Sequence, residues 1–151
     1  MGSKRNVQND VGFRINRTQK LIHHYMDDLA KGKGITDFAV LHGWILGYIE
    51  HHETDIYQKD LEKRFNITKS HVTGILKSLE QEGLIKREGV VNDARLKKIV
   101  LTEEGRKTLN QLGNTIDECE DELNSILSQE DKEVFLRCLD AIDAYVGRKD
   151  D

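Results

Sequence analysis

One segment of the sequence carries side chains that can donate hydrogen bonds to an anion. Between residues 69 and 82 the apolar residues recur at steps of three and four, which places them on one face of a helix. The opposite face and its flanks carry hydroxyl, basic, amide and small side chains: Ser70, His71, Thr73, Gly74, Lys77, Ser78 and Gln81. Acidic side chains are absent from this face until Glu80 and Glu82 at the far end. The segment is therefore a candidate anion-binding surface.

A second, shorter helix is predicted directly before this segment. Residues 58–65 carry Leu61 and Phe65 four positions apart, as one face of a helix requires. Asn66 tolerates the left-handed backbone of a tight turn, and Thr68 can cap the following helix. Two short helices joined by a turn of three or four residues, with the second one presenting a basic and hydroxylic face, predict a helix-turn-helix.

Two short strand-like runs follow, at residues 84–87 and 96–101. The loop between them contains Gly89, Asn92 and Asp93, which favour turns. The runs and their loop carry five basic residues: Lys86, Arg87, Arg95, Lys97 and Lys98. A β-hairpin placed after a helix-turn-helix is a wing, so this region extends the predicted basic surface.

Long amphipathic helices are predicted on both sides of this region. The first spans residues 11–31, and Thr36 is the expected N-cap of a second helix that ends near His51. Thr102 and Ser128 begin two further helices, and the first of these carries an apolar seam with heptad spacing from Leu109 to Ile126. The fold class is therefore mainly α with a small β-hairpin wing, a winged helix-turn-helix flanked by long N- and C-terminal helices.

The flanking helices carry more apolar surface than a monomer of this size needs to bury, so we expect a homodimer. The predicted dimerisation residues are Ile15, Ile22, Leu109, Leu112, Ile116, Leu123, Leu139 and Ile142. A core of three helices within one chain is the alternative for any single apolar stripe.

Charge is distributed unevenly along the 151 residues, whose formal net charge is −4. Residues 57–98 hold ten Lys and Arg against six Asp and Glu, although the chain as a whole is acidic. This asymmetry favours one localised anion-binding face; an ordinary solvated charged face is the alternative. No apolar run approaches the roughly 20 residues that cross a bilayer, and the N-terminus lacks the apolar core of a signal peptide. We therefore expect a cytoplasmic protein without a membrane partner.

The order of these elements and four short motifs resemble the MarR (multiple antibiotic resistance regulator) family of bacterial transcription factors. The motifs are Leu61-Glu62-Lys63-Arg64-Phe65-Asn66-Ile67-Thr68, Glu80-Gln81-Glu82-Gly83-Leu84-Ile85-Lys86-Arg87, Asn92-Asp93-Ala94-Arg95 and Val100-Leu101-Thr102-Glu103-Glu104-Gly105. Tyr57 departs from the usual capping Thr or Ser, so the first helix of the pair is expected to begin differently. The resemblance implies one domain over residues 1–151, with a winged-helix part at about 36–102 and dimerisation helices at about 8–34 and 103–147.

The resemblance also implies that the chain binds double-stranded DNA, with the second helix of the pair in the major groove. The residues expected to contact DNA are Thr68, Lys69, Ser70, His71, Thr73, Gly74, Lys77, Asp93, Arg95 and Lys97. Arg95 is expected in the minor groove, with its guanidinium held by Asp93 in a bidentate pair. A dimer would present two reading helices one duplex turn apart and so prefer a palindrome.

Family members commonly bind small phenolic or lipophilic effectors between the dimerisation helices and the winged domain. By this resemblance Trp44, Tyr48 and His51 could line an effector site, although core packing is the better interpretation of the two aromatic residues. The expected protein is a repressor that an effector releases from DNA.

Enzymatic, metal-dependent and redox functions have little support in the sequence. A P-loop, a nucleophile elbow and an H-E-x-x-H motif are all missing, so we expect neither an enzyme nor a bound cofactor. The six histidines lack zinc-site spacing, so no metal is expected, and acidic neighbours of Cys119 disfavour a reactive thiolate. The alternative function is a winged-helix module that binds another protein and no specific DNA.

Overall fold

The computed structural model describes residues 6–35 and 40–147. Its elements in chain order are a 3-10 turn (Val7–Asn9), α1 (Val11–Gly32), α2 (Val40–His51), α3 (Gln58–Phe65), α4 (Lys69–Gln81), β1 (Ile85–Val90), β2 (Asp93–Leu101), α5 (Glu103–Ser125) and α6 (Gln129–Val146). They belong to two compact units that divide after Ile116. The predicted cap at Thr36 lies outside the described residues. Within these ranges no helix is long and apolar enough to cross a membrane.

The core of the first unit lies where α2, α3, α4, the hairpin and the start of α5 meet. Leu46, Leu61 and Leu76 are completely buried there, one from each of the three helices. Ile56, in the connection between α2 and α3, accepts a hydrogen bond at its carbonyl from the N–H of Ile99 on β2, at 2.8 Å. The hairpin is therefore tied to the helix-turn-helix by backbone pairing as well as by apolar packing.

Both ends of α3 and the start of α4 are set by residues adjacent to them in the sequence. Asn66 ends α3 in the left-handed conformation, with φ of 48°, and the Thr68 hydroxyl accepts a hydrogen bond from the N–H of His71 at 3.2 Å. These two predictions are confirmed. At the start of α3 the Asp60 carboxylate accepts a hydrogen bond from the N–H of Tyr57 at 2.8 Å. Asp60 thus supplies the half of a capping box that bonds the cap N–H, whereas its own N–H, which a Thr or Ser at position 57 would bond with its hydroxyl, donates to the Tyr57 carbonyl at 3.0 Å.

The hairpin is longer than the sequence predicted. β2 begins at Asp93 instead of residue 96, and the two strands pair antiparallel from Ile85 opposite Leu101 to Val90 opposite Asp93. A register shift follows Gly89, and Asn92 turns the chain with φ of 74°. The start of β2 escaped prediction because its side chains are mostly exposed and polar, so backbone pairing and not apolar alternation defines it.

The first residues of the heptad seam of α5 pack within their own chain. Leu109 and Leu112 are buried within the chain, only 8% and 5% exposed. Leu109 belongs to the core of the first unit, and Leu112 and Ile116 lie over Gly43 of α2. The predicted role of these leucines in a dimer seam therefore needs revision, because their surface is already covered by their own chain.

The second unit, as described over residues 117–147, contains the end of α5 and all of α6. Ser128 caps α6 by accepting a hydrogen bond from the N–H of Asp131 at 3.1 Å, as predicted. None of the α6 residues described is buried, and five large apolar side chains on it are exposed: Val134, Phe135, Leu136, Tyr145 and Val146. In the first unit, α1 likewise exposes Val11, Phe13, Ile15, Leu21 and Tyr25.

The junction between the hairpin and α5 is held by close backbone packing. The N–H of Thr102 donates to the carbonyl of Leu84 at 3.0 Å, and the Thr102 hydroxyl donates to the carbonyl of Gly83 while accepting from the N–H of Gly105. A Cβ added to Gly105 would collide with the Leu84 carbonyl oxygen. Because that obstacle is backbone, it has little freedom to move.

We therefore predict that Gly105→Ala lowers the free energy of unfolding, measured by urea denaturation at fixed chain concentration, by about 1–3 kcal/mol. Gly113→Ala is the matched control on the same helix, since a Cβ there meets no atom within 4 Å. The control should raise stability by about 0.5–1 kcal/mol through the helix preference of alanine. Equal stability changes in the two variants would contradict the close packing at Gly105.

Candidate nucleic-acid interface

The α3–α4 pair and the hairpin enclose a cationic groove of about 300 Å³. Five of the residues that line it carry a positive charge: Lys59, Lys69, Arg87, Arg95 and Lys97. Glu62 is the acidic residue on its wall. Residues as far apart in the sequence as Tyr57 and Ile99 are thus brought to one surface, which we call the basic groove.

The exposed face of α4 adjoins this groove. Lys69, Ser70, His71, Thr73, Gly74 and Lys77 are all exposed, as the helical spacing predicted. Val72, Ile75, Leu76 and Leu79 are buried on the other side of the helix. The packing of that apolar face fixes the rotation of α4 about its axis, and so decides which side chains point outward.

Hydrogen bonds organise the first turns of α4. The Gln58 side-chain amide donates from Nε2 to Oγ1 of Thr73 at 2.9 Å and to the carbonyl of Lys69 at 3.4 Å. The Thr73 hydroxyl in turn donates to the Lys69 carbonyl at 2.8 Å. Sequence reasoning missed Gln58, because its contact with Thr73 spans 15 positions and depends on how α3 crosses α4.

The hairpin end of the site differs from the prediction. Oδ1 of Asp93 accepts a hydrogen bond from the backbone N–H of Arg95 at 2.9 Å. The predicted bidentate pair between the Asp93 carboxylate and the Arg95 guanidinium is therefore wrong for the free chain. The carboxylate of an aspartate beside a turn readily accepts a hydrogen bond from the N–H of the second residue after it. Its short side chain reaches that N–H more easily than it reaches the guanidinium of the same residue. The Arg95 side chain is exposed and lines the basic groove.

Some of the basic side chains near the hairpin are already neutralised. Nε of Arg87 lies 3.2 Å from Oε2 of Glu80. Nζ of Lys98 lies 3.7 Å from Oε2 of Glu88 and 3.9 Å from Oδ1 of Asp55. In the part of the chain that the structure describes, Lys69, Lys77, Arg95 and Lys97 form no ion pair. These four exposed cations give the site its capacity to attract a polyanion.

The residues predicted to bind an effector, Trp44, Tyr48 and His51, line none of the three cavities described within residues 6–35 and 40–147. Trp44 packs edge-to-face on His23 with ring centres 6.1 Å apart, and Tyr48 packs likewise on Phe65 at 5.9 Å, while His51 is exposed. Another cavity, of about 610 Å³, is lined by residues at the ends of α1 and α4 and the start of α5: Lys33, Gly34, Ile35, Glu82, Leu84, Glu104, Thr108, Gln111 and Asn114. The two aromatic residues serve packing, the interpretation that the sequence already favoured.

The groups considered for sensing have ordinary structural settings. Burial raises the pKa of the Cys119 thiol, and the negative charge of Glu120 raises it further. Burial lowers the pKa of His42, although the nearby Glu82 opposes this effect. Over residues 6–35 and 40–147, no group of three or more His, Cys, Asp or Glu side chains is placed to hold a metal ion. A thiol with a raised pKa is a poor redox sensor, because the thiolate is the reactive form.

Comparison with known proteins identifies the family. The sequence profile described as "MarR family" matches residues 36–96, which comprise α2, α3, α4 and most of the hairpin. The structure of S. aureus MepR in its DNA-binding conformation is 30% identical, with a TM-score of 0.71, and the match covers 87% of this chain and 98% of that one. The chain belongs to the MarR family. The structure of a MepR–DNA complex, 26% identical, matches with a TM-score of 0.80 over 90% of this chain and 97% of that one.

MarR membership agrees with the expectation of a transcription regulator and with the absence of enzyme motifs. Among relatives, the HTH-type transcriptional repressor YetL of Bacillus subtilis (strain 168) is 32% identical over 94 residues, which cover 61% of this chain and 54% of YetL. The chain spans about half the length of the first curated relatives it matches. The winged-helix fold predicted for it is confirmed by the MarR-family likeness.

Proposed function

We propose that this chain is a homodimeric MarR-family repressor that binds a palindromic operator in double-stranded DNA and leaves it when a small molecule binds. The observation that carries the proposal is the basic groove, with the exposed cations Lys69, Arg95 and Lys97 at its wall, beside the hydroxylic face of α4. Exposed cations without ion-pair partners suit phosphates, which supply most of the affinity for DNA.

Each part of the surface has a role in this proposal. Ser70, Thr73 and Lys77 face the major groove, where base edges carry a distinct pattern of donors and acceptors, while Thr68, Lys69 and His71 contact the phosphates around it. Arg95 enters the minor groove, whose negative potential is strongest in narrow A·T tracts. Asp93 shapes the tip of the hairpin through the N–H of Arg95, and Lys97 contacts the backbone.

Dimerisation is supported by the apolar surface that the chain leaves exposed. Ile15 on α1 and Phe135 on α6 are 39% and 51% exposed, and each has exposed apolar neighbours on its own helix. A second copy that covers these faces would remove them from water and present two α4 helices to one duplex. We assign the dimer interface to Ile15, Ile22, Leu123, Leu139 and Ile142. We exclude Leu109 and Leu112, which the chain itself buries, and Ile116, which is half-buried over Gly43.

Release by an effector is supported by the position of the 610 Å³ cavity. Its wall includes Glu82 and Leu84, which directly follow α4, and Gln111 and Asn114 of α5. The amides can bond a phenolic hydroxyl, and Ile35 and Leu84 can contact its ring. A ligand that fits only a displaced α4 would shift the chain toward a form that no longer matches the operator.

We also propose that residues 36–102 form the DNA-binding part and residues 8–34 and 103–147 the dimerisation part of a single domain.

DNA binding is tested by fluorescence anisotropy with a duplex selected from a random pool and a scrambled control. We expect selective binding whose equilibrium constant falls steeply with salt. Arg95→Ala should weaken binding by about 1–3 kcal/mol and leave the sedimentation mass unchanged. Arg17→Ala, an exposed arginine on α1, is the matched control and should bind normally. Equal binding of selected and scrambled duplexes would favour the protein-binding module instead.

Gly74 allows stability and DNA binding to be separated. In the free chain a Cβ at this position meets no atom within 4 Å, so nothing in the described fold requires glycine there. Gly74→Ala should raise the free energy of unfolding by about 0.5–1 kcal/mol, because alanine favours the helix interior. If the duplex backbone approaches α4 closely at Gly74, the same variant binds the operator more weakly. Unchanged operator affinity would remove Gly74 from the interface.

The dimer interface is tested by placing a charge on α1. Ile15→Asp should yield the monomer mass in sedimentation equilibrium with the helical circular dichroism retained, because burying an unpaired carboxylate in an interface is costly. Asn16→Asp introduces the same side chain at the neighbouring exposed position, on another side of the helix, and should remain dimeric. A dimer mass for Ile15→Asp would contradict the assignment of α1 to the interface.

A further inference from the structure

Lys59 is a cation of the basic groove that the sequence did not single out. It lies in the first turn of α3, is exposed, and lines the groove together with the carboxylate of Glu62. Among the residues that the structure describes, Lys59 forms no ion pair, in contrast to Arg87, which Glu80 neutralises. An exposed ammonium group without a carboxylate partner is available to a bound anion.

Cations without ion pairs lie on both walls of the groove. The side-chain amide of Gln58 donates to the Lys69 carbonyl at 3.4 Å, which joins the start of α3 to the start of α4. Lys59 directly follows Gln58, so Lys59 and Lys69 belong to the helical wall of the groove. Arg95 and Lys97 belong to the wall that β2 forms. An anion between these walls is therefore approached by positive charge from two sides.

The proposed positions of α4 and Arg95 on a duplex determine which part of the DNA meets this groove. Lys69 of α4 and Arg95 line the same cavity of about 300 Å³, so α4 and the hairpin tip must enter neighbouring DNA grooves. In a duplex, a major groove and the minor groove beside it are separated by one sugar–phosphate backbone. With α4 in the major groove and Arg95 in the minor groove, that backbone passes between α4 and the hairpin.

We propose that the basic groove receives this backbone strand and that Lys59 binds one of its phosphates. The inference rests on the proposed DNA-binding function, and it adds α3 to the elements that contact DNA. A phosphate contact carries no sequence information. Lys59 therefore contributes affinity and salt dependence, whereas base preference stays with α4 and Arg95.

The first test measures operator affinity against salt concentration by fluorescence anisotropy. Each phosphate contact contributes about 0.9 to the slope of log K against log salt concentration, so Lys59→Gln, which removes one contact from each protomer of a dimer, should reduce the slope by about 1.8. Lys63→Gln is the matched control, since it removes the same charge from an exposed position of α3 that does not line the groove, and it should keep the slope. Lys59→Arg retains the charge and should also keep it. Base preferences of all three variants on a randomised duplex pool should equal those of the unaltered chain.

The second test locates the contact on the DNA. Single phosphates of the selected operator are replaced by uncharged methylphosphonates. At one position in each half-site the replacement should weaken binding of the unaltered chain severalfold and leave the affinity of Lys59→Gln unchanged, because the two changes remove the same contact. That position should lie on the strand between the base pairs whose preferences change in Lys77→Ala and those whose preferences change in Arg95→Ala.

The inference is overturned if Lys59→Gln and Lys63→Gln have equal salt slopes. It is also overturned if no methylphosphonate distinguishes Lys59→Gln from the unaltered chain, or if the one that does lies outside that interval. In each of these cases selective binding by the unaltered chain would leave the proposed function standing. If the unaltered chain selects no sequence, the proposed function fails, and this inference fails with it.

Discussion

The junction between Leu84 and Gly105 is the constraint on which the rest of the first unit depends. The N–H of Leu84 donates to the carbonyl of Leu79 at the end of α4, and its carbonyl accepts from Thr102 at the start of α5. Leu84 thus links α4, the hairpin and α5. Its carbonyl leaves no space for a side chain at position 105, so backbone atoms set how closely the start of α5 approaches. A displacement of the start of α5 would therefore be transmitted to α4 through the two hydrogen bonds of Leu84.

The exposed cations of this surface repel one another, which opposes folding slightly and favours the binding of an anion there. The chain carries a net charge of −4, yet Lys69, Arg95 and Lys97 are gathered around the basic groove, and Lys77 lies exposed on the adjoining helix α4. Their mutual repulsion is tolerable because they are exposed and screened by water and salt. Glu80 and Glu88 neutralise the cations nearest the body of the hairpin, Arg87 and Lys98.

The apolar spacing of α5 does not reveal which surface covers the helix. Heptad spacing correctly marked Leu109 and Leu112 as apolar positions of one helix face. It did not distinguish burial against α2 of the same chain from burial against a second copy, because both need the same spacing. A Cβ at Gly43 would lie 3.1 Å from the Ile116 side chain and 3.7 Å from that of Leu112, so glycine leaves room for both side chains beside α2. The apolar surface left exposed on α1 and α6 is what makes a dimer the natural proposal.

Sequence alone determined the features that depend on neighbouring residues. The caps at Thr68 and Ser128, the left-handed turn at Asn66, the bounds of α3 and the outward face of α4 all follow from interactions within about four positions. Those local signals were also enough to indicate the family. Tertiary structure decided the rest: the length of β2, the bond from Arg95 to Asp93, the burial of Leu109 and Leu112, and the hydrogen bond from Gln58 to Thr73. These features depend on the register of strands and the crossing of helices, which are settled only when the whole core packs.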